Sequence, residues 1–201
     1  MLDEFSAKEN LARFKRRPIT ANHQRLAAVA VVLTSVDGEL AFALTRRSRL
    51  LKRNPGNFAL PGGNKDPTDR DLIETAVRET HEEIGVSLQR QRQITTLDDF
   101  QTLSGHLVTP IVFWHAGRTE FSLNPDEVDD AWWVPIADLA HPGSPRTEIE
   151  DDTKKRLLQM HVRGRWINAP TAAWLFQFRE ALFSSRSVRV NQIPQPEWTR
   201  I

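Results

Sequence analysis

The sequence contains no cysteine, which excludes disulfide bonds, thiolate metal ligands and a cysteine nucleophile. Any bound metal ion would therefore be held by oxygen or imidazole ligands. No apolar run approaches the roughly 20 residues of a membrane span. The opening stretch, MLDEFSAKEN, lacks the apolar core of a signal peptide. We therefore expect a soluble, cytoplasmic protein with no membrane partner.

A strong excess of charge of either sign is also absent. The formal net charge is +1 over 201 residues, so no strong positive electrostatic field favours a nucleic-acid partner. With 39% hydrophobic residues, the chain can bury a proper core, and its length suits one domain with additions. We expect an N-terminal helix and extension over residues 1–24, one domain over 25–183 and an irregular tail over 184–201.

Apolar and alternating runs predict the strands of a layered α/β fold. The predicted strands span residues 27–34, 39–45, 57–63, 94–100, 106–115 and a part of 126–139. The Asp37-Gly38 dipeptide indicates a hairpin between the first two. Pro110 indicates that its strand lies at a sheet edge or contains a bulge.

Helical periodicity appears in three places. A short amphipathic helix is predicted from Leu2 to about Arg16, and a final helix over 171–183. A central helix should run from about 71 to 84. Thr68 or Asp69 is its predicted N-cap and Gly85 its predicted end.

The central helix carries an unusual concentration of carboxylates. In the stretch RETHEEIGV, which starts at Arg78, each residue advances by about 100°, so Glu79 and Glu83 lie together one turn apart. Glu82 points further into solvent, and Arg78 lies beyond it. Like charges at this spacing repel by roughly 0.2–0.5 kcal/mol per pair. The helix face is either simply solvated, with Arg78 as a counter-ion, or it binds a divalent cation.

A divalent cation would turn this repulsion into coordination, because hard ions such as Mg²⁺ prefer carboxylate oxygens and bridge to phosphate. The Gly62-Gly63 pair just before the helix can bring the backbone close to such an ion. Glu82 would bind a second ion or deprotonate a water molecule. Arg78 would hold a carboxylate in place through a bidentate contact.

Taken together, Pro61-Gly62-Gly63 and the stretch from Arg78 to Val86 resemble the Nudix box. This box is the signature of Mg²⁺-dependent hydrolases of nucleoside diphosphates linked to another group. Counting from Gly63 puts Asp69 at the first acidic position of the box, with one extra residue before Arg78.

The resemblance implies a fold, a cofactor and a site. The fold would be the Nudix fold, an α/β (α+β) arrangement with a mixed β-sheet sandwiched between helices. The cofactor would be Mg²⁺ or Mn²⁺, with the metal ligands Glu79, Glu83, Glu82 and Gly63. Glu82 and Arg78 would be the catalytic residues. The general base is left between Glu82, which we prefer, and a late-loop acid such as Glu127.

A second run of residues is similar to the motif of a Nudix subgroup that hydrolyses coenzyme A. Leu44-Thr45-Arg46-Arg47-Ser48 is followed, at the spacing of that motif, by Lys52, Gly56 and Leu60-Pro61-Gly62-Gly63. Coenzyme A carries a 3′-phosphate as well as its diphosphate, and arginine suits phosphate geometry. The resemblance implies that the substrate-binding residues are Arg47, Lys52, Arg46 and Gly62.

The implied reaction is hydrolysis of coenzyme A or a derivative to 3′,5′-ADP and 4′-phosphopantetheine. Lys52 and Leu60 depart from the subgroup motif, which leaves open other nucleotide substrates: ADP-ribose, NADH or a dinucleoside polyphosphate. A different interpretation is a nucleotide-sensing Nudix regulator that binds DNA through residues 140–201, although such modules tend to lose box carboxylates. The expected partner is a small-molecule nucleotide, and a homodimer, common in this family, is left open.

Overall fold

The computed structural model describes residues 2–117 and 119–200. Within these residues the chain forms three α-helices, α1 (Glu4–Ala12), α2 (Leu72–Ile84) and α3 (Thr171–Ser184). It also forms the strands β1 (Arg25–Val36), β2 (Glu39–Arg47), β3 (Phe58–Ala59), β4 (Gly62–Asn64), β5 (Gln93–Thr96), β6 (Phe100–Gln101), β7 (His106–Trp114), β8 (Val128–Pro135), β9 (Arg146–Ile149), β10 (Arg156–Val162) and β11 (Arg165–Asn168). None of the described helices is long and apolar enough to cross a membrane.

Eight of the strands form one mixed sheet, in the order β3-β2-β1-β7-β5, with β4, β6 and β8 paired to β1, β7 and β2. Only the pairing of β1 with β7 is parallel among those the structure describes in this sheet. Alternate residues of β1 enter different core clusters, because successive side chains of a strand point to opposite faces. Ala28 and Ala30 pack with α2, whereas Val29 and Val31 pack with α1 and α3. The predicted fold, a mixed sheet between helices, is confirmed.

The central helix begins slightly later than predicted. Its N-cap is Asp71, whose carboxylate accepts hydrogen bonds from the backbone N–H groups of Ile73 and Glu74 at 3.0 and 3.1 Å. The predicted caps, Thr68 and Asp69, are wrong, because Asp69 is turned inward to other partners. The predicted end is correct, since Gly85 adopts the left-handed conformation with φ 71°.

The strand that contains Pro110 is internal, so the predicted edge position is wrong, and the alternative, a bulge, is matched only by a register shift in the partner strand β5, between Gln93 and Thr95. β7 lies between β1 on one side and β5 and β6 on the other. The predicted strand over 94–100 is interrupted at Leu97–Asp99, where the Leu97 N–H donates to the Pro110 carbonyl. A residue's N–H and C=O point to the same side of a strand. Pro110 has no N–H donor, and the side of β7 on which that donor is missing faces the gap between β5 and β6.

Two other boundaries differ from prediction. α1 ends at Ala12 instead of near Arg16, and the chain then continues as an irregular arm. That arm is fixed by the buried carboxylates of Asp98 and Asp99, which accept hydrogen bonds from the backbone N–H groups of Arg17 and Ile19. The predicted strand over 57–63 is split into β3 and β4, because the chain turns at Leu60 and Pro61.

The region after residue 140 contains a second sheet that the sequence analysis missed. β9, β10 and β11 form a three-stranded antiparallel sheet. Met160 and Val162 of β10 share one core cluster with Phe178 of α3 and with residues of the main sheet. The segment considered for DNA binding therefore contributes to the main core.

Asp71→Ala should lower the free energy of unfolding by about 1 kcal/mol, because the first turn of α2 loses its cap. Urea denaturation of the purified variant measures this change. Thr68→Ala is the matched control, since Thr68 is exposed and, among the described residues, bonds only the neighbouring Asp66. It should change stability by less than about 0.5 kcal/mol. Equal losses in the two variants would contradict the assignment of the cap.

Candidate active site

A glycine turn brings the backbone unusually close to its neighbours. A Cβ on Gly62, whose φ is +152°, would lie 2.2 Å from the Ala28 carbonyl oxygen. A Cβ on Gly63 would lie 2.4 Å from a carboxylate oxygen of Glu79. A side chain at position 62 would therefore force the turn away from the backbone of β1, and a side chain at position 63 would displace the Glu79 carboxylate. The two glycines allow the start of β4 to approach the carboxylates of the helix.

Three carboxylates meet beside this turn. Glu79 and Glu83 come from α2, and Glu127 comes from the loop just before β8. One oxygen of each side chain lies within 4.8 Å of the others. We call Glu79, Glu83 and Glu127 the carboxylate cluster. Helical spacing explains the first two members, whereas the third arrives through the fold.

Backbone hydrogen bonds hold the Glu127 loop in position. The Asn124 N–H donates to the Glu83 carbonyl at 3.0 Å, which ties the loop to the end of α2. The Ser48 N–H donates to the Glu127 carbonyl at 2.8 Å. Ser48 belongs to the upstream motif found in the sequence and is fully buried. Part of that motif therefore positions the loop that supplies the third carboxylate.

Glu83 is the most buried member of the carboxylate cluster, with 4% of its surface exposed. Burial raises the pKa of Glu83 to about 8, although the Gly62 N–H, which donates at 3.2 Å, and the charge of Arg47 oppose this effect. Burial likewise raises the pKa of Glu79, against the influence of Arg78. Closely spaced, poorly compensated carboxylates provide the oxygen ligands that Mg²⁺ and Mn²⁺ prefer. The residues present fit such an ion.

Arg78 connects the carboxylate cluster to the loop before α2. Its guanidinium donates to Glu79 at 2.9 Å, to Glu82 at 2.7 Å and to Asp69 at 3.1 and 3.0 Å. Asp69 is buried, and these bonds from Arg78 lower the pKa of its carboxyl to about 2. The acid at the first position of the box thus holds the arginine and is not a member of the carboxylate cluster.

Glu82 lies apart from the carboxylate cluster. Half of its side chain is exposed, at 50%, and its carboxylate pairs with Arg78. Among the described acidic residues, the third member of the cluster is Glu127 instead. From the sequence alone, Glu127 is the second choice after Glu82 for the role of base. Helical geometry turns Glu82 toward solvent, and only the folded loop brings Glu127 to the other two carboxylates.

The basic residues of the upstream motif occupy different environments. Arg47 lines a cleft beside the glycine turn and acts electrostatically on Glu83. Arg46 points elsewhere, since it pairs with Asp130 and lies 3.9 Å from Asp129. Lys52 is exposed and outside the cleft wall, whereas its neighbour Arg53 lies within that wall.

The cleft itself has a volume of about 440 Å³. Gly62 and Gly63 form part of its wall, so it is adjacent to the carboxylate cluster. Other parts come from Phe58 on β3 and from β11, the start of α3 and the C-terminal tail. The contributions of β11, α3 and the tail to the cleft were not predicted, because nothing in the order of residues links these segments to the glycine turn.

Comparisons with known proteins place the glycine turn and the carboxylate cluster within a known family domain. Residues 24–157 match the NUDIX domain family. The Nudix hydrolase NudL of Pectobacterium atrosepticum is 37% identical over 120 residues, covering 60% of this chain and 61% of NudL. NudL of an Escherichia coli strain is 31% identical over 142 residues, covering 71% of this chain and 73% of NudL.

One of these similar proteins is named for an enzymatic activity. The mouse peroxisomal coenzyme A diphosphatase NUDT7 is 33% identical over 135 residues, covering 65% of this chain and 57% of NUDT7. The match thus spans less than two thirds of the Pectobacterium and mouse relatives.

A solved structure supports the fold. The NUDIX hydrolase of Alicyclobacillus acidocaldarius superposes with a TM-score of 0.52 at 21% identity, covering 79% of this chain and 92% of the other. The family match covers well over half of the chain, and it includes the glycine turn, α2 and the Glu127 loop. This protein belongs to the Nudix family.

Proposed function

We propose that the protein is a metal-dependent pyrophosphohydrolase that cleaves the diphosphate of coenzyme A or a CoA derivative. The products would be 3′,5′-ADP and 4′-phosphopantetheine. The observation that carries the proposal is the carboxylate cluster at the glycine turn, next to a cleft that contains Arg47. The upstream motif and the similarity to a mouse coenzyme A diphosphatase support this choice of substrate.

Glu79, Glu83 and Glu127 would hold Mg²⁺ or Mn²⁺, and Gly63 would offer its carbonyl oxygen. A bound divalent cation would supply charge neutralisation on the diphosphate and a lowered pKa for a bound water molecule. Substrate binding would fall to Arg47, whose guanidinium can contact a diphosphate in a bidentate manner. Arg46 forms an ion pair with Asp130, and we assign it no direct contact with substrate.

The remaining residues would orient the site. Arg78 donates a hydrogen bond to the Glu79 carboxylate at 2.9 Å, and Asp69 fixes Arg78 by accepting a hydrogen bond from its Nε. We assign Glu127 ahead of Glu82 as the group that binds metal or accepts a proton from the attacking water. A carboxylate oxygen of Glu127 lies within 4.8 Å of the other two carboxylates, whereas Glu82 faces solvent. Proton transfer in this way typically contributes about 10²–10⁴-fold to a rate.

A substrate panel tests the assignment of substrate. With Mg²⁺ or Mn²⁺ present, coenzyme A should be cleaved with a kcat/KM at least tenfold above that for ADP-ribose, NADH and diadenosine tetraphosphate. The products are separated and quantified by chromatography. A clear preference for one of the other three compounds would refute the substrate and leave the reaction class intact. Cleavage of none of them would refute both.

Variants of the acidic residues test the assignment of roles. Glu83→Gln and Glu127→Gln should each lower kcat by at least ~10²-fold, the scale of losing a well-placed electrostatic contact. Glu82→Gln, the control from the same helix, should lower kcat by less than about tenfold, because solvent screens its charge.

Protein stability separates these effects from misfolding. Above pH 8, where Glu83 is ionised, Glu83→Gln removes a charge from a buried position, so the melting temperature measured there should not fall. Normal turnover in Glu127→Gln, together with a severe loss in Glu82→Gln, would reverse the two roles.

A further inference from the structure

The cleft contains residues that lie beyond the family match at residues 24–157. Arg165 and Trp166 come from β11, Trp174 comes from α3, and Trp198 comes from the C-terminal tail. Arg53 completes this part of the wall from the loop before β3. These residues meet the glycine turn only because the second sheet and α3 pack against the main sheet. They are therefore candidates for a role specific to this chain.

The charge of the cleft is one-sided. Arg47, Arg53 and Arg165 line it, and none of the described residues in its wall is acidic. In the part of the chain that the structure describes, none of these three guanidinium groups forms an ion pair with a carboxylate. A concave surface with several unpaired arginines favours a ligand with several negative charges.

A diphosphate beside the carboxylate cluster accounts for only one of these arginines. Arg47 pairs with Val128, the residue that follows Glu127, and so lies at the catalytic end of the cleft. Arg53 lines the cleft together with His106, and burial, followed by the charges of Arg25 and Arg53, lowers the pKa of that imidazole. Arg165 is on β11, in the other sheet. Arg53 and Arg165 are thus available for a second anionic group.

The same wall is rich in indole rings, which stack well on nucleobases. Trp166, Trp174 and Trp198 line the cleft, out of 6 tryptophans in the whole chain. The guanidinium of Arg146 lies 3.9 Å from the centre of the Trp166 ring and holds one face of it. Trp174 is 5% exposed, and its indole N–H has no acceptor among the described residues. A bound ligand with an acceptor atom would satisfy such a donor.

We propose that this cleft binds the nucleoside end of the substrate and that Arg53 and Arg165 recognise a phosphate monoester at its ribose 3′ position. The proposal rests on the proposed function for where the diphosphate lies. It adds two specificity-determining residues, one of them outside the family match. It also gives the second sheet a role in selecting the substrate.

Binding without turnover tests this inference. Calorimetric titrations without divalent cation compare 3′,5′-ADP with 5′-AMP, which differ only in the 3′-phosphate. The wild-type protein should bind 3′,5′-ADP at least tenfold more tightly, a ratio typical of charge-assisted hydrogen bonds. Arg165→Gln and Arg53→Gln should each reduce the ratio to threefold or less.

Arg156→Gln is the matched control. Arg156 is exposed on the neighbouring strand β10, outside the cleft wall, and should leave the ratio unchanged. Circular dichroism and the melting temperature verify folding, which these exposed positions should not disturb. A wild-type ratio near one would overturn the inference. So would a ratio in Arg165→Gln equal to that in Arg156→Gln, or tighter binding of 2′,5′-ADP than of 3′,5′-ADP.

The two proposals fail in different ways. Selective binding of 3′,5′-ADP by a protein that cleaves no coenzyme A would refute the proposed function and keep the inference about the cleft. Efficient cleavage of coenzyme A with no selectivity for 3′,5′-ADP over 5′-AMP would keep the proposed function and refute the inference about the cleft.

Discussion

The repulsion between carboxylates packed around a glycine turn is the constraint on which the rest of this structure depends. Burial is the largest cause that raises the pKa of Glu83 to about 8, and the nearby charges of Glu79 and Glu127 act in the same direction. Such an arrangement is unfavourable without a compensating cation. The fold nevertheless maintains it, with Gly63 leaving room for one carboxylate and the Gly62 N–H donating to another. We interpret this maintained repulsion as the basis of metal binding and hence of catalysis.

The part of the site that is local in sequence could be predicted. Helical periodicity places Glu79 beside Glu83, and a glycine at position 85 ends the helix as its conformational freedom suggests. Glu127 is 44 residues beyond Glu83 (127 − 83), and its approach depends on backbone bonds from Ser48 and Asn124. No local pattern encodes such bonds. The sequence therefore indicated Glu127 only as an alternative, and the folded loop brings it to Glu79 and Glu83.

Tertiary contacts also explain the errors in the fold. Asp69 has the chemistry of a helix cap, but Arg78 and Thr75 capture its carboxylate, so Asp71 takes that role. Pro110 is tolerated inside a sheet because the partner strands are interrupted opposite it. The second sheet was missed because β9 and β11 have four residues each and every residue of β9 is exposed. The cleft that this sheet helps to form could not have been anticipated without the fold.

Anomalous scattering from a crystal grown with Mn²⁺ tests the central claim most directly, because it locates the ion without reference to any substrate. We expect a manganese peak bounded by the carboxylates of Glu79, Glu83 and Glu127 and by the backbone of Gly63. Glu83→Gln crystals grown in the same way should show that peak weakened or lost. Manganese bound elsewhere in the wild-type protein, with these three side chains separated and bonded only to water, would contradict the account.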